Sequence, residues 1–161
     1  MLVALTFAVS ALAADAPGNP LAPLDFLVGS CWVGEFPNGG GTDTHCFEPV
    51  YGGKFVRDRH VVRGKGPDYL GETIYGWDPR QQRIVFWYWS SAGVIEQGSV
   101  SPSADGLDFP EHRLTEPKEL LMRTHWKRID ADHYETLNER KDGEAWRLEW
   151  KVAYRRTPAG K

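Results

Sequence analysis

Residues 25–55 read DFLVGSCWVGEFPNGGGTDTHCFEPVYGGKF and contain both cysteines of the chain, Cys31 and Cys46. At their centre stands Asn38-Gly39, a strong hairpin dipeptide. An antiparallel fold about that centre sets Cys31 opposite Cys46 and Trp32 opposite His45. Pro37 has no N–H to give to a two-residue turn, so the loop is read as Pro37 to Gly40. Counting back from it, the cysteines fall at a non-hydrogen-bonded pair, where side chains approach most closely. That spacing predicts a cross-strand disulfide, worth roughly 3 kcal/mol in the chain-entropy model. No Cys-x-x-Cys and no third thiol point to metal or redox chemistry.

A second turn at Gly52-Gly53 extends the register: Cys46 meets Arg59, Phe47 meets Asp58, and His45 meets His60. Trp32, His45 and His60 then share one face with Asp58 beside them, and with the disulfide outside this face is the interior. Two adjacent imidazoles can ligate a metal or haem, or relay a proton, and Asp58 can orient one ring. The plainer reading is a hydrogen-bonded polar cluster. Pro49 is a place for a bulge. A slip of one residue would instead turn Arg57 and Arg59 inward, toward a carboxylate ligand.

Downstream, short alternating runs are broken by turn signals at Gly64 to Asp68, Asp78-Pro79, Ala92-Gly93, Ser103 to Gly106, Asp130 to Asp132 and Asp142-Gly143. They delimit nine or ten strands with short connections, the pattern of an all-β antiparallel up-and-down barrel. In AWRLEWKVAYRR, Trp146, Leu148, Trp150, Val152 and Tyr154 are expected on one face; in LLMRTHWKR, Leu120, Met122, Thr124 and Trp126. RIVFWYWSS is apolar on both faces, so that strand is expected to be covered twice or to line a groove. Closure into a barrel removes the exposed edges of such a sheet.

LDFLVGSCWVGE at the start, YGGKFV on the third strand and GWDPRQQRIVFWYW mid-chain make the segment from Leu24 to Arg156 similar to the calycin superfamily of lipocalin-like barrels, and within it to a secreted bacterial family. Those barrels open with Gly-x-Trp and close with a cation packed on that Trp. Here Gly29 and Trp32 stand one residue further apart, and Arg155 and Arg156 offer the cation. The resemblance implies that Trp32 seals one end. The proximal His of haem-binding members has no counterpart between Trp146 and Arg156.

The first residues, MLVALTFAVSALA, read as a signal peptide over 1–13, with Ala11-Leu12-Ala13 as the cleavage motif and a run too short to span a bilayer. No Lys or Arg precedes the run, which points to a start codon placed late. Residues 14–23, with three prolines, read as an extended leader, and 24–157 as one barrel domain. A periplasmic or secreted location follows, where paired cysteines are expected.

A formal net charge of -3 leaves no basic footprint for nucleic acid. Seven Trp, six Tyr and seven Phe either fill a core or line an apolar site. Hydrolase and phosphate-loop motifs are absent. Glu72 and Glu96 are the acids expected inside; His112 reads as loop, His125 and His133 as surface. The leading expectation is therefore a binding protein rather than an enzyme. Its small apolar ligand would rest against Trp32, Met122, Thr124, Trp126, Trp146, Trp150 and Tyr154, with no cofactor. The rival is a barrel enzyme or a haem or metal protein using His45, Asp58 and His60; a third reading is a structural module with a filled core.

Overall fold

The hairpin about Asn38-Gly39 forms as its turn chemistry requires. In the computed structural model, which describes residues 18–114 and 119–158, β1 (Ser30–Glu35) pairs antiparallel with β2 (Thr42–Val50), and Cys31 faces Cys46. The two are joined in a disulfide with their Cα atoms 4.0 Å apart. The Phe36 N–H donates to the Gly41 carbonyl, closing the four-residue loop read from Pro37. At the second turn Gly52 and Gly53 take φ of 68° and 79°, values that glycine reaches without a Cβ clash. β3 (Phe55–Arg63) then pairs with β2 in unbroken register, Pro49 opposite Val56 and His45 opposite His60.

Each later turn adds the next antiparallel neighbour: β4 (Tyr69–Asp78), β5 (Arg83–Ser90), β6 (Ile95–Pro102), β7 (Gly106–Leu114), β8 (Leu120–Arg128), β9 (His133–Asp142) and β10 (Ala145–Pro158). β10 returns to pair with β1, and the ten strands close into an up-and-down barrel. The fold is all-β, a closed antiparallel up-and-down barrel, as the alternation predicts, and it is compatible with the lipocalin-like architecture that the resemblance implies. No helix among the described residues is long and apolar enough to cross a membrane.

One end is sealed. Trp32 is fully buried, its indole N–H donates to the Leu27 carbonyl at 3.1 Å, and the Arg156 guanidinium lies 4.3 Å over its ring. Arg156 also bonds the Ser30 hydroxyl and the carbonyls of Phe26 and Ala131. Of the two candidate cations, Arg156 faces the Trp; Arg155, one residue off in the pleat, is exposed. Leu21, Leu24 and Leu27, around a single 3-10 turn at Ala22–Leu24, are buried against this end. The packed domain thus begins inside the stretch read as extended leader, because those leucines complete its core. The proposed signal peptide, 1–13, lies outside the described residues.

Two bulges alter the expected faces. Between Leu148 and Trp150 the β9–β10 register shifts, so the alternation reverses at Glu149. Trp150, Val152 and Tyr154 point inward, whereas Leu148 is 58% exposed and Trp146 lies outside with the Arg123 guanidinium 4.7 Å over its ring. Trp146 is therefore not a lining residue. The second shift, between Phe109 and His112, spans Pro110, which cannot donate to the ladder. It makes His112 a strand residue with a buried side chain instead of a loop residue. On β5, Ile84, Phe86 and Tyr88 face in, while Trp87 and Trp89 face out, 40% and 44% exposed, so that strand is covered on one side. Trp89 lines a shallow outer groove with Leu70 and Val61.

Candidate functional site

Above the Trp32 seal, the rings of Phe47, Tyr134, Tyr154, Trp126 and Phe109 fill the lower barrel. Tyr134 stacks on Tyr154 at 4.8 Å, and Trp126 lies 4.7 Å from Phe109. Towards the other end the packing opens into a cavity of about 330 Å³. Its walls are Phe86, Phe109, Met122, Trp126 and Trp150, with Tyr69, Tyr75 and Tyr88. Of the residues expected to hold a ligand, Met122, Thr124, Trp126 and Trp150 meet there. Trp32 and Tyr154 belong to the packed floor, and Trp146 lies outside.

The polar residues read from the first two hairpins do converge. His45 Nδ1 is 2.7 Å from Asp58 Oδ2, and its Nε2 is 3.0 Å from Asp43 Oδ2. Carboxylates only accept, so both ring nitrogens carry protons and His45 is an imidazolium. Burial opposes that charge, yet the carboxylates of Asp58 and Asp43 outweigh it and raise the His45 pKa to about 10. Burial likewise raises Asp43, and His45 and His60 outweigh it, holding the carboxyl well below its usual range. The Tyr154 hydroxyl donates to Asp43 Oδ2 at 2.8 Å. His60 stands 4.6 Å from the His45 ring; its Nδ1 is 3.4 Å from Asp43 Oδ1 and its Nε2 is 3.1 Å from the Tyr88 hydroxyl, which meets Tyr69 at 2.5 Å. Gly71 is what lets His60 reach this position: a Cβ there would overlap the imidazole.

Asp43, His45 and His60 carry metal-ligating atoms within 4.8 Å of one another. Both nitrogens of His45 are already committed to carboxylates, which leaves it no lone pair for a metal. As the side chains stand, His45 serves a hydrogen-bonded ionic network in which two carboxylates share one imidazolium. Asp43 was missed from sequence, although it stands two residues before His45 and thus on the same face.

The other buried polar pair faces the cavity directly. Glu96, 9% exposed, presents Oε1 to His112 Nε2 at 3.2 Å. His112 Nδ1 is 3.0 Å from the Pro110 carbonyl, which only accepts, so Nδ1 carries the proton. Burial pushes Glu96 up to about 7 and His112 down. Glu72, the other acid expected inside, lines the outer groove. His125 and His133 pair with aspartates on the surface, as read.

These features define a closed antiparallel barrel, sealed at one end and hollow at the other, with two carboxylate–imidazole clusters inside. No protein-family model matches the chain, and no curated protein matches it in sequence.

Proposed function

We propose that this protein is a calycin-like carrier or sequestering protein, exported to an oxidising compartment, that holds a small molecule inside the barrel. The observation that carries the reading is the cavity of about 330 Å³, walled largely by aromatic rings and Met122, with imidazoles, Glu96, hydroxyls and one amide set among them. Binding sites for small molecules are concave, mostly apolar and provided with a few placed polar groups. A filled structural barrel would have no need of such a space, since interiors pack densely. The Cys31–Cys46 disulfide supports the oxidising compartment. A metal or haem centre on His45 and His60 has less support, because His45 is engaged by Asp43 and Asp58 on both sides.

The test is titration of the purified, disulfide-intact protein with the apolar dye anilinonaphthalenesulfonate, and with its uncharged analogue phenylnaphthylamine, against tryptophan emission. Saturable quenching by either dye at micromolar concentration is expected, weakened by Met122→Trp, which fills the cavity. Absence of saturable binding for both, or binding unaffected by Met122→Trp, would defeat the proposal.

A further inference from the structure

The cavity faces one carboxylate, Glu96, and no Lys or Arg lines it among the described residues. The imidazolium of His45 lies between two carboxylates and has no charge to spare. At the Glu96–His112 pair the geometry is specific. The Pro110 carbonyl holds the Nδ1 proton, so neutral His112 presents a bare Nε2, and 3.2 Å away stands Oε1 of Glu96. Two acceptors facing one another at that distance need a proton or a donor between them.

Resting on the small-molecule reading above, we infer that Glu96 and His112 anchor the ligand and that the ligand is an organic amine, bound as its ammonium ion with an apolar body. An ammonium carries more than one N–H and can donate to the carboxylate and to Nε2 at once. Its charge neutralises a carboxylate that has no other cation beside it. The surrounding rings suit it as well: Phe86 stands 6.2 Å from His112 and 5.8 Å from Phe109, aromatic faces that attract a desolvated cation. The titratable groups around Glu96 are the phenols of Tyr75 and Tyr88, on the two preceding strands, and His112 on the next; none brings a positive charge of its own. Burial alone raises the Glu96 carboxyl, the mark of an acid lacking a cationic partner. Gly98 keeps this corner roomy, since a Cβ there would press on Phe86 and approach His112. An anionic ligand would instead place like charge against Glu96, and a neutral alcohol would gain hydrogen bonds but no ion pair.

Calorimetry with three isosteric probes separates these cases: phenethylamine, phenethyl alcohol and hydrocinnamate, at neutral pH, against the wild-type protein and Glu96→Gln. The amine is expected to bind wild type about tenfold or more tightly than the alcohol, with hydrocinnamate weakest. Glu96→Gln should erase that order. Equal binding of amine and alcohol by wild type would overturn the inference, as would an amine preference that survives in Glu96→Gln. Saturable dye binding with no response to any of the three probes would overturn it too, and would leave the cavity reading standing. Failure of the dyes as well would bring down both.

Discussion

His45 and His112 each turn a ring toward a buried carboxylate inside the same barrel, but the two arrangements differ in what they leave undone. His45 sits between Asp58 and Asp43 with both ring nitrogens committed, and the Tyr154 hydroxyl donates to Asp43. His112 meets a single carboxylate, keeps one nitrogen bare and looks into the cavity. The first cluster resembles a structural clasp between β2 and β3, with both nitrogens of its imidazolium committed. The second is incomplete until something enters. Proximity of imidazole to carboxylate is thus common to both, and the proton count separates the clasp from the anchor.

The most damaging way to probe that contrast is to remove the imidazole from the clasp. His45→Ala strands two carboxylates that are each only 2% exposed, and should cost about 3–5 kcal/mol in urea unfolding with the disulfide intact. A loss below about 1 kcal/mol would show that the imidazolium does not hold the two carboxylates together. Its pH dependence has a definite sign. The folded pKa of His45 is raised from 6.5 to about 10, so the contribution is complete below pH 6.5 and fades as pH rises through 10. The stability gap between wild type and His45→Ala should therefore narrow above that pH.

The anchor titrates in the same direction but at lower pH, because burial and not an ionic partner raises its carboxyl. Glu96, with an ordinary value of 4.5, is raised to about 7, so its native-state advantage is complete below pH 4.5 and is lost as pH rises through 7. Glu96→Gln should then match wild type near pH 4 and exceed it by up to about 3 kcal/mol at pH 8, read from thermal or urea unfolding. A variant less stable than wild type at pH 8 would mean that Glu96 already has a strong cationic partner in the unliganded protein.

Smaller effects come from the two glycines that make room for the clusters. Gly71→Ala drives a methyl into His60, and Gly98→Ala drives one toward Phe86; each should cost about 1–3 kcal/mol by overpacking. Only Gly98→Ala should weaken uptake of phenethylamine more than it weakens dye uptake, because it narrows the anchor. Equal losses for both variants would erase the distinction between the clusters. The smallest effect is expected at Trp146. Its ring is outside the barrel beneath Arg123 and Lys141, so Trp146→Ala should cost about 1 kcal/mol or less and leave ligand uptake unchanged. A large loss of uptake would place the ring in the cavity after all.

What the chain makes legible on its own follows from the range of the interactions involved. Two hairpins with marked turns are local objects, and their pairing needs only counting from the turn. For that reason Cys31–Cys46, Trp32 opposite His45, and His45 opposite His60 can all be read from the residues between 29 and 60. Alternation between turn signals likewise yields the antiparallel all-β class, and a pleat of period two sends Met122, Thr124 and Trp126 inward together. Asp43 was equally readable by that rule.

The tertiary structure decided the rest. Whether a strand keeps its alternation depends on how its neighbour pairs with it, and the shift at Glu149 that expels Trp146 is set against β9, not within β10. The shift across Pro110 turns His112 inward in the same way, and the pairing of β7 with β6 then sets it 3.2 Å from Glu96. Leu21 looks like a leader residue until the sealed end of the barrel offers it a surface to cover. The volume left inside is the sum of all ten strands' side chains, a quantity no single stretch of sequence contains.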